Sequence, residues 1–184
     1  MSGRVFPTGF TLIELLAVLL VLSLLIAVGV PALRDLVHAT LIHRESTRLL
    51  DAVRLARSES VQRNVPVSLC PSSLAEGGEA ACGGSYAGGW IVFANHDRDA
   101  EFDQQRDELI RVFHGLPPRY TLTNRAGDRD LSTLLTYMPD GSSRRSLTMM
   151  ICAPAVTGLE SRSVILNRVG RPRLARGWGQ CPQV

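Results

Sequence analysis

The chain has 184 residues, 45% of them hydrophobic and 20% charged, with a formal net charge of +3. That length holds one membrane anchor and one modest domain, and leaves no room for a large second domain. All 20 basic residues are arginine, a bias that a GC-rich genome also produces, so arginine usage alone does not point to nucleic acid.

The stretch from Gly9 to Val30 reads GFTLIELLAVLLVLSLLIAVGV and is apolar except at Thr11, Glu14, Ser23 and Gly29. About twenty apolar residues in a helix span roughly 30 Å, the thickness of the bilayer hydrocarbon. Leucine and isoleucine fill most of it, which suits both helix and lipid. Glu14 is the exception, because an unpaired carboxylate in lipid is costly. Either it stays wet near the headgroups or it meets a partner charge. Cleavage between Gly9 and Phe10 would create such a charge, an α-ammonium at Phe10, within the same chain or on a packed neighbour. An ordinary secretory signal would need a small-residue cleavage site after the apolar run, and Ala27 to Ala32 matches that only loosely.

Pro31 predicts a kink rather than a stop. From Ala32 to Val61 the pattern turns amphipathic, with Leu33, Leu36, Val37, Leu41, Leu49, Leu50, Val53 and Ala56 at helical spacing. Glu45 with Arg48, and Asp51 with Arg54, have the spacing of weak surface pairs. One helix is expected from Thr11 to about Gln62, its second half backing a sheet. His38 and His43 are five apart and point away from each other, which suits structural roles. The residue before Pro66 is pushed out of helical geometry.

Beyond Pro66 the period falls to two. Strands are expected over 65–70, 89–94, 109–114, 120–123, 133–138, 147–152, 163–167 and 172–175. Residues 133–138 and 147–152 are expected to pair as a hairpin around the PDGS turn at Pro139 to Ser142. The last two strands make another hairpin around Val169 and Gly170. Many short strands after one long helix predict an α+β fold with a head of mainly antiparallel sheets. Four cysteines allow three pairings. Cys70 with Cys82 and Cys152 with Cys181 each close a short segment, and disulfides suit a head exported to an oxidising compartment. The expected divisions are a leader over 1–9, a membrane-spanning helix over 10–30, an amphipathic helix half over 31–62 and a β-rich head over 63–184.

The segment GFTLIE behind a short polar leader with Arg4 resembles the signal of type IV prepilins and type II secretion pseudopilins. The resemblance implies that a prepilin peptidase cuts after Gly9 and that Phe10 is methylated. It also implies that Glu14 registers the subunit in a filament. Ala56 to Ser72, Gly89 to Asn95 and Val164 to Gly177 resemble the class of minor pilins and minor pseudopilins that takes in GspH, FimT and FimU. The implied partners are other major and minor pilins or pseudopilins and the inner membrane. The implied location is the inner membrane before assembly, then a pilus or pseudopilus with the head in the periplasm or outside the cell.

Two constellations in the head carry further expectations. Asp97, Asp99, Glu101 and Glu108 fall at calcium-loop positions one, three, five and twelve, but Phe102 stands where that loop needs glycine. A solvated hairpin loop is the expectation, with calcium in another geometry as the alternative. From Arg144 onward seven arginines face one acid, Glu160. Arg171 and Arg173 would share a strand face, with Arg168 and Arg176 just outside. The GRPR at Gly170 to Arg173 resembles an element of FimT-type minor pilins linked to DNA uptake in natural transformation. It implies non-specific contact with double-stranded DNA phosphates, against pilin docking or a plain soluble rim. Trp178 is the better candidate for base stacking than Trp90 or Tyr86. No motif joins His96 or His114 to a serine or cysteine, so no enzyme, cofactor or metal site is expected.

Overall fold

The computed structural model describes residues 11–99, 101–153 and 159–182. The expected processing residues, Gly9 and Phe10, lie outside the described residues. One helix, α1, runs from Leu12 to Arg63 through Pro31. Up to Val37 every described side chain on it is exposed. From Ala39 onward it belongs to the compact unit that holds the head. There Ile42, Leu49, Val53, Ala56 and Ser60 are buried at steps of three, four and seven, one stripe of a 3.6-residue period. Asn64 ends the helix in the left-handed region, at φ 55°, a conformation asparagine tolerates better than most residues.

Eight strands follow, all paired antiparallel in two four-stranded sheets. They are β1 (Val67–Pro71), β2 (Gly89–Ala94), β3 (Glu108–His114), β4 (Thr121–Thr123), β5 (Leu135–Tyr137), β6 (Leu147–Cys152), β7 (Arg162–Leu166) and β8 (Pro172–Arg176). The first sheet has the order β3-β2-β1-β5 and the second β4-β6-β7-β8. The fold is α+β, with the second half of the helix packed on an antiparallel head.

The pairing around the PDGS turn corrects the sequence reading. β5 pairs with β1, Leu69 opposite Leu135, whereas β6 lies between β4 and β7 in the other sheet. The turn does close locally, with Gly141 donating to the Met138 carbonyl at 2.8 Å. The chain then crosses between sheets instead of folding back. Turn chemistry fixes the local reversal, but burial of Leu135 and Tyr137 against Val67 and Leu69 decides the partner strand.

Both faces of the first sheet are covered. Trp90 and Val92 face the main core with the helix stripe, while Ile91 and Phe93 face a second cluster with Cys70 and Phe102. That alternation explains why β2 is buried along its whole length. Phe102 meets Phe93 edge-on at 5.1 Å between ring centroids. The loop that resembled a calcium site therefore carries an apolar plug where glycine would have turned it. Cys70 is bonded to Cys82 and Cys152 to Cys181, with Cα separations of 5.6 and 5.7 Å. The first bond ties down the segment that covers the outer face beside Phe102, and the second ties the tail after β8 to the end of β6. Each contributes about 2–4 kcal/mol through the closed loop.

Truncating the plug tests whether the acidic loop belongs to the core. Phe102→Ala should cost about 3 kcal/mol, the usual range for a buried phenylalanine, read as a lower urea midpoint. An unchanged midpoint would show that the loop does not hold the outer face.

Candidate functional site: the first helical turn and the arginine face

The N-terminal site is built by one capping box. Thr11 donates both its backbone N–H and its hydroxyl to Glu14 Oε2, at 2.9 Å each. The Glu14 N–H donates back to Thr11 Oγ1 at 3.4 Å, so residues three apart satisfy each other's first-turn groups. Glu14 is thereby oriented at the start of the helix. Ser23 donates to the Leu20 carbonyl at 2.8 Å, which satisfies its hydroxyl inside the apolar run. An 18-residue window of this helix has a mean hydropathy of 2.8, with none of it buried.

The arginine face is organised by the turn between β7 and β8. Gly170 donates to the Asn167 carbonyl at 2.9 Å, and the Arg171 N–H donates to Asn167 Oδ1 at 3.0 Å. Gly170 sits at φ +80°, and a Cβ there would stand 1.9 Å from the Gly141 carbonyl oxygen. The glycine of GRPR therefore has a packing role: it lets the turns of the two sheets touch. Tyr137 donates its phenol to the Gly170 carbonyl at 3.2 Å.

The expected shared face of Arg171 and Arg173 is interrupted because Arg171 precedes β8, in the turn. It lines a groove with Arg54 and Arg57 of α1. Arg173 lies in β8, 5.7 Å from the Trp178 ring, which also carries Arg125 at 4.4 Å. Arg176 ends the strand opposite Arg162. Burial and Arg176 lower the Arg162 pKa from its usual value, offset in part by Glu160. Arg168 is exposed at the tip of the turn. Trp178 is 38% exposed while Trp90 and Tyr86 are fully buried. Sequence reasoning did not bring Arg54 and Arg57 of α1 beside Arg171, or Arg125 of the loop after β4 onto Trp178, because these segments are far apart in the chain.

The acidic loop uses its carboxylates on itself. Asp107 accepts the His96 and Asp103 amides at 3.0 and 3.1 Å. Asp103 accepts the Gln105 amide and the Arg106 Nε, which together hold its carboxyl below the ordinary range. Asp97 reaches Arg106 at 3.2 Å. Among the described residues no three His, Cys, Asp or Glu side chains converge as a metal site.

One pairing read as a surface feature is buried. Glu45 is 2% exposed and meets Arg48 at 2.7 Å. The Arg48 guanidinium lies 4.8 Å from the Trp90 ring centroid and donates to the Gly115 carbonyl at 3.0 Å. Asp51 and Arg54 are the exposed pair that the spacing suggested, 3.7 Å apart. Spacing alone does not separate the two, since only the strand beneath the helix decides which pair is covered.

An apolar helix that starts on a capped acid, together with a two-sheet head, defines a type IV pilin-like filament subunit. The family model described as "Type II transport protein GspH" matches residues 45–170, more than half of the chain, and the chain belongs to that family. Its head resembles the crystal structures of the type IV minor pilin FimU of Pseudomonas aeruginosa strain PAO1. In the P21 form the TM-score is 0.56 at 16% identity, covering 77% of this chain and 92% of that one. In the P65 form it is 0.53 at 16% identity, covering 77% and 97%. At that identity the likeness is one of fold. No curated protein matches the chain. The chain is a minor pilin or pseudopilin that acts in filament assembly with other such subunits. Its precursor is anchored in the inner membrane with the head in the periplasm or outside the cell.

Proposed function

We propose that the chain works as a structural minor subunit that primes or caps a type IV filament. A prepilin peptidase releases Phe10, which is then methylated, and the new amine meets Glu14 of its own or a neighbouring chain. The observation that carries this reading is the fixed orientation of Glu14 by Thr11 at the head of an otherwise apolar, fully exposed run. A carboxylate held there is stable in lipid only with a partner charge.

Glu14→Ala should leave membrane insertion intact and strongly reduce the protein in sheared filaments, read by immunoblot against wild type. Normal amounts in the filaments would overturn the role of Glu14.

A second reading, DNA capture of the FimT kind, is favoured by the exposure of Arg168, Arg171, Arg173 and Arg176. Their division among the turn, the Trp178 ring and the Arg162 edge favours assembly over one continuous phosphate-binding patch. Fluorescence anisotropy with duplex DNA at three salt concentrations separates the two. The assembly reading expects equal binding by wild type and the double variant Arg171→Gln, Arg173→Gln. Binding that the double variant loses, with a log–log salt slope of about two to four, would establish DNA capture.

A further inference from the structure

The groove beside α1 is a basic site with an apolar wall. It holds about 580 Å³ between Arg54, Arg57 and Val61 on the helix, Arg171 in the turn before β8 and Pro172 at the start of β8. Arg57 Nε donates to the Gly141 carbonyl at 3.1 Å, which fixes that guanidinium at the groove and leaves its terminal N–H groups for another acceptor. Among the described residues no carboxylate lies within ion-pair distance of Arg57 or Arg171, and Arg54 reaches only Asp51, at 3.7 Å. Val61 is 53% exposed on the same wall.

The same head carries the complement. In the loop between β2 and β3, Arg106 is taken by Asp97 and Asp103, and Asp107 by backbone amides. Asp99 and Glu101 stay exposed, and among the described residues neither has a cation within ion-pair distance. The two features lie on opposite flanks of α1. Arg48 and Arg63 reach Gly115 and Glu108, toward β3 and this loop. Arg57, nine positions after Arg48, reaches Gly141 toward the groove. Nine positions are about two and a half turns, the far side of the helix.

We propose that the groove lined by Arg54, Arg57 and Arg171 receives the acidic β2–β3 loop of a second copy of this chain, so that heads pair flank to flank. Different patches on one molecule that fit each other make a heterologous contact, in which one head offers its groove and the next its loop. This deepens the filament reading by naming a head contact, and it rests on that reading for its biological setting. Val61 and Pro172 make the wall suited to a peptide loop, while the guanidinium rim takes its carboxylates. One loop seated in one groove is a small, charge-rich contact, so it is weak and forms best at low salt.

Charge reversal tests it in the full chain in zwitterionic micelles, by sedimentation velocity. One protein carries Arg54→Glu and Arg171→Glu. The other carries Glu101→Arg with Asp99→Asn, which keeps the Oδ1 that accepts the Glu101 amide. All four positions are exposed, and circular dichroism and intact disulfides confirm the fold of each variant. Wild type should self-associate at roughly 0.05 M salt and dissociate near 1 M, where the Debye length is about 3 Å. Each variant alone should associate about tenfold or more weakly. Their mixture should recover the association of wild type, because the acid groove of the first accepts the basic loop of the second and the native groove of the second accepts the native loop of the first. A monomeric wild type at low salt, association indifferent to the reversals, or a mixture that stays monomeric would overturn the contact. Such a failure leaves the filament role standing, and normal incorporation of Glu14→Ala would leave this contact standing.

Discussion

The head depends on one stripe of α1. Ile42, Leu49, Val53 and Ala56 lie in a single core with Val67, Leu69, Trp90 and Leu135 of the first sheet and Leu122, Met149, Ile151 and Val164 of the second. A small sheet needs an apolar layer packed on its face to offset the entropy of ordering its strands. The helix gives both sheets the same floor. Small residues at Ala52, Ala56 and Ser60, all fully buried, let the strands approach the helix closely.

Polar groups fix the arrangement that the apolar stripe only permits. The Glu45–Arg48 pair under Trp90 leaves a buried charge if either partner is lost, which disfavours sliding the helix along the sheet. At the other end, Gly141 and Gly170 touch, and Tyr137 of the first sheet bonds the Gly170 carbonyl of the second. Burial pushes the Tyr137 phenol pKa up, so it stays a donor across the physiological range. The two sheets are thus joined at a point where Gly170 has no space for a side chain and Gly141 takes the left-handed φ of +74°. The GRPR segment is placed by that junction before its arginines meet any partner.

Much of this was legible in the sequence because period and turn chemistry are local. The switch from a 3.6 to a 2.0 repeat near Pro66 marked the end of the helix, and GWIVFA at Gly89 to Ala94 marked a central strand. Strand partnership was not legible. PDGS looks the same whether the chain returns to its neighbour or crosses to another sheet, and only the burial of Leu135 and Tyr137 decides. Charge was misread for the same reason. Glu45 and Asp51 have the same spacing to an arginine, yet one is buried and the other exposed. Phe102 was a warning in the sequence, since a bulky aromatic at a required glycine signals a different use for the loop.

The proposed filament role requires a chain start for Glu14 to meet. The most direct measurement is the N-terminal peptide of the protein recovered from sheared filaments, read by mass spectrometry. A peptide that begins at Phe10 and carries one added methyl group is the expected result. One that begins at Met1, or beyond Ala32, would contradict the account, because the first-turn acid would then lack the Phe10 amine or be absent from the chain.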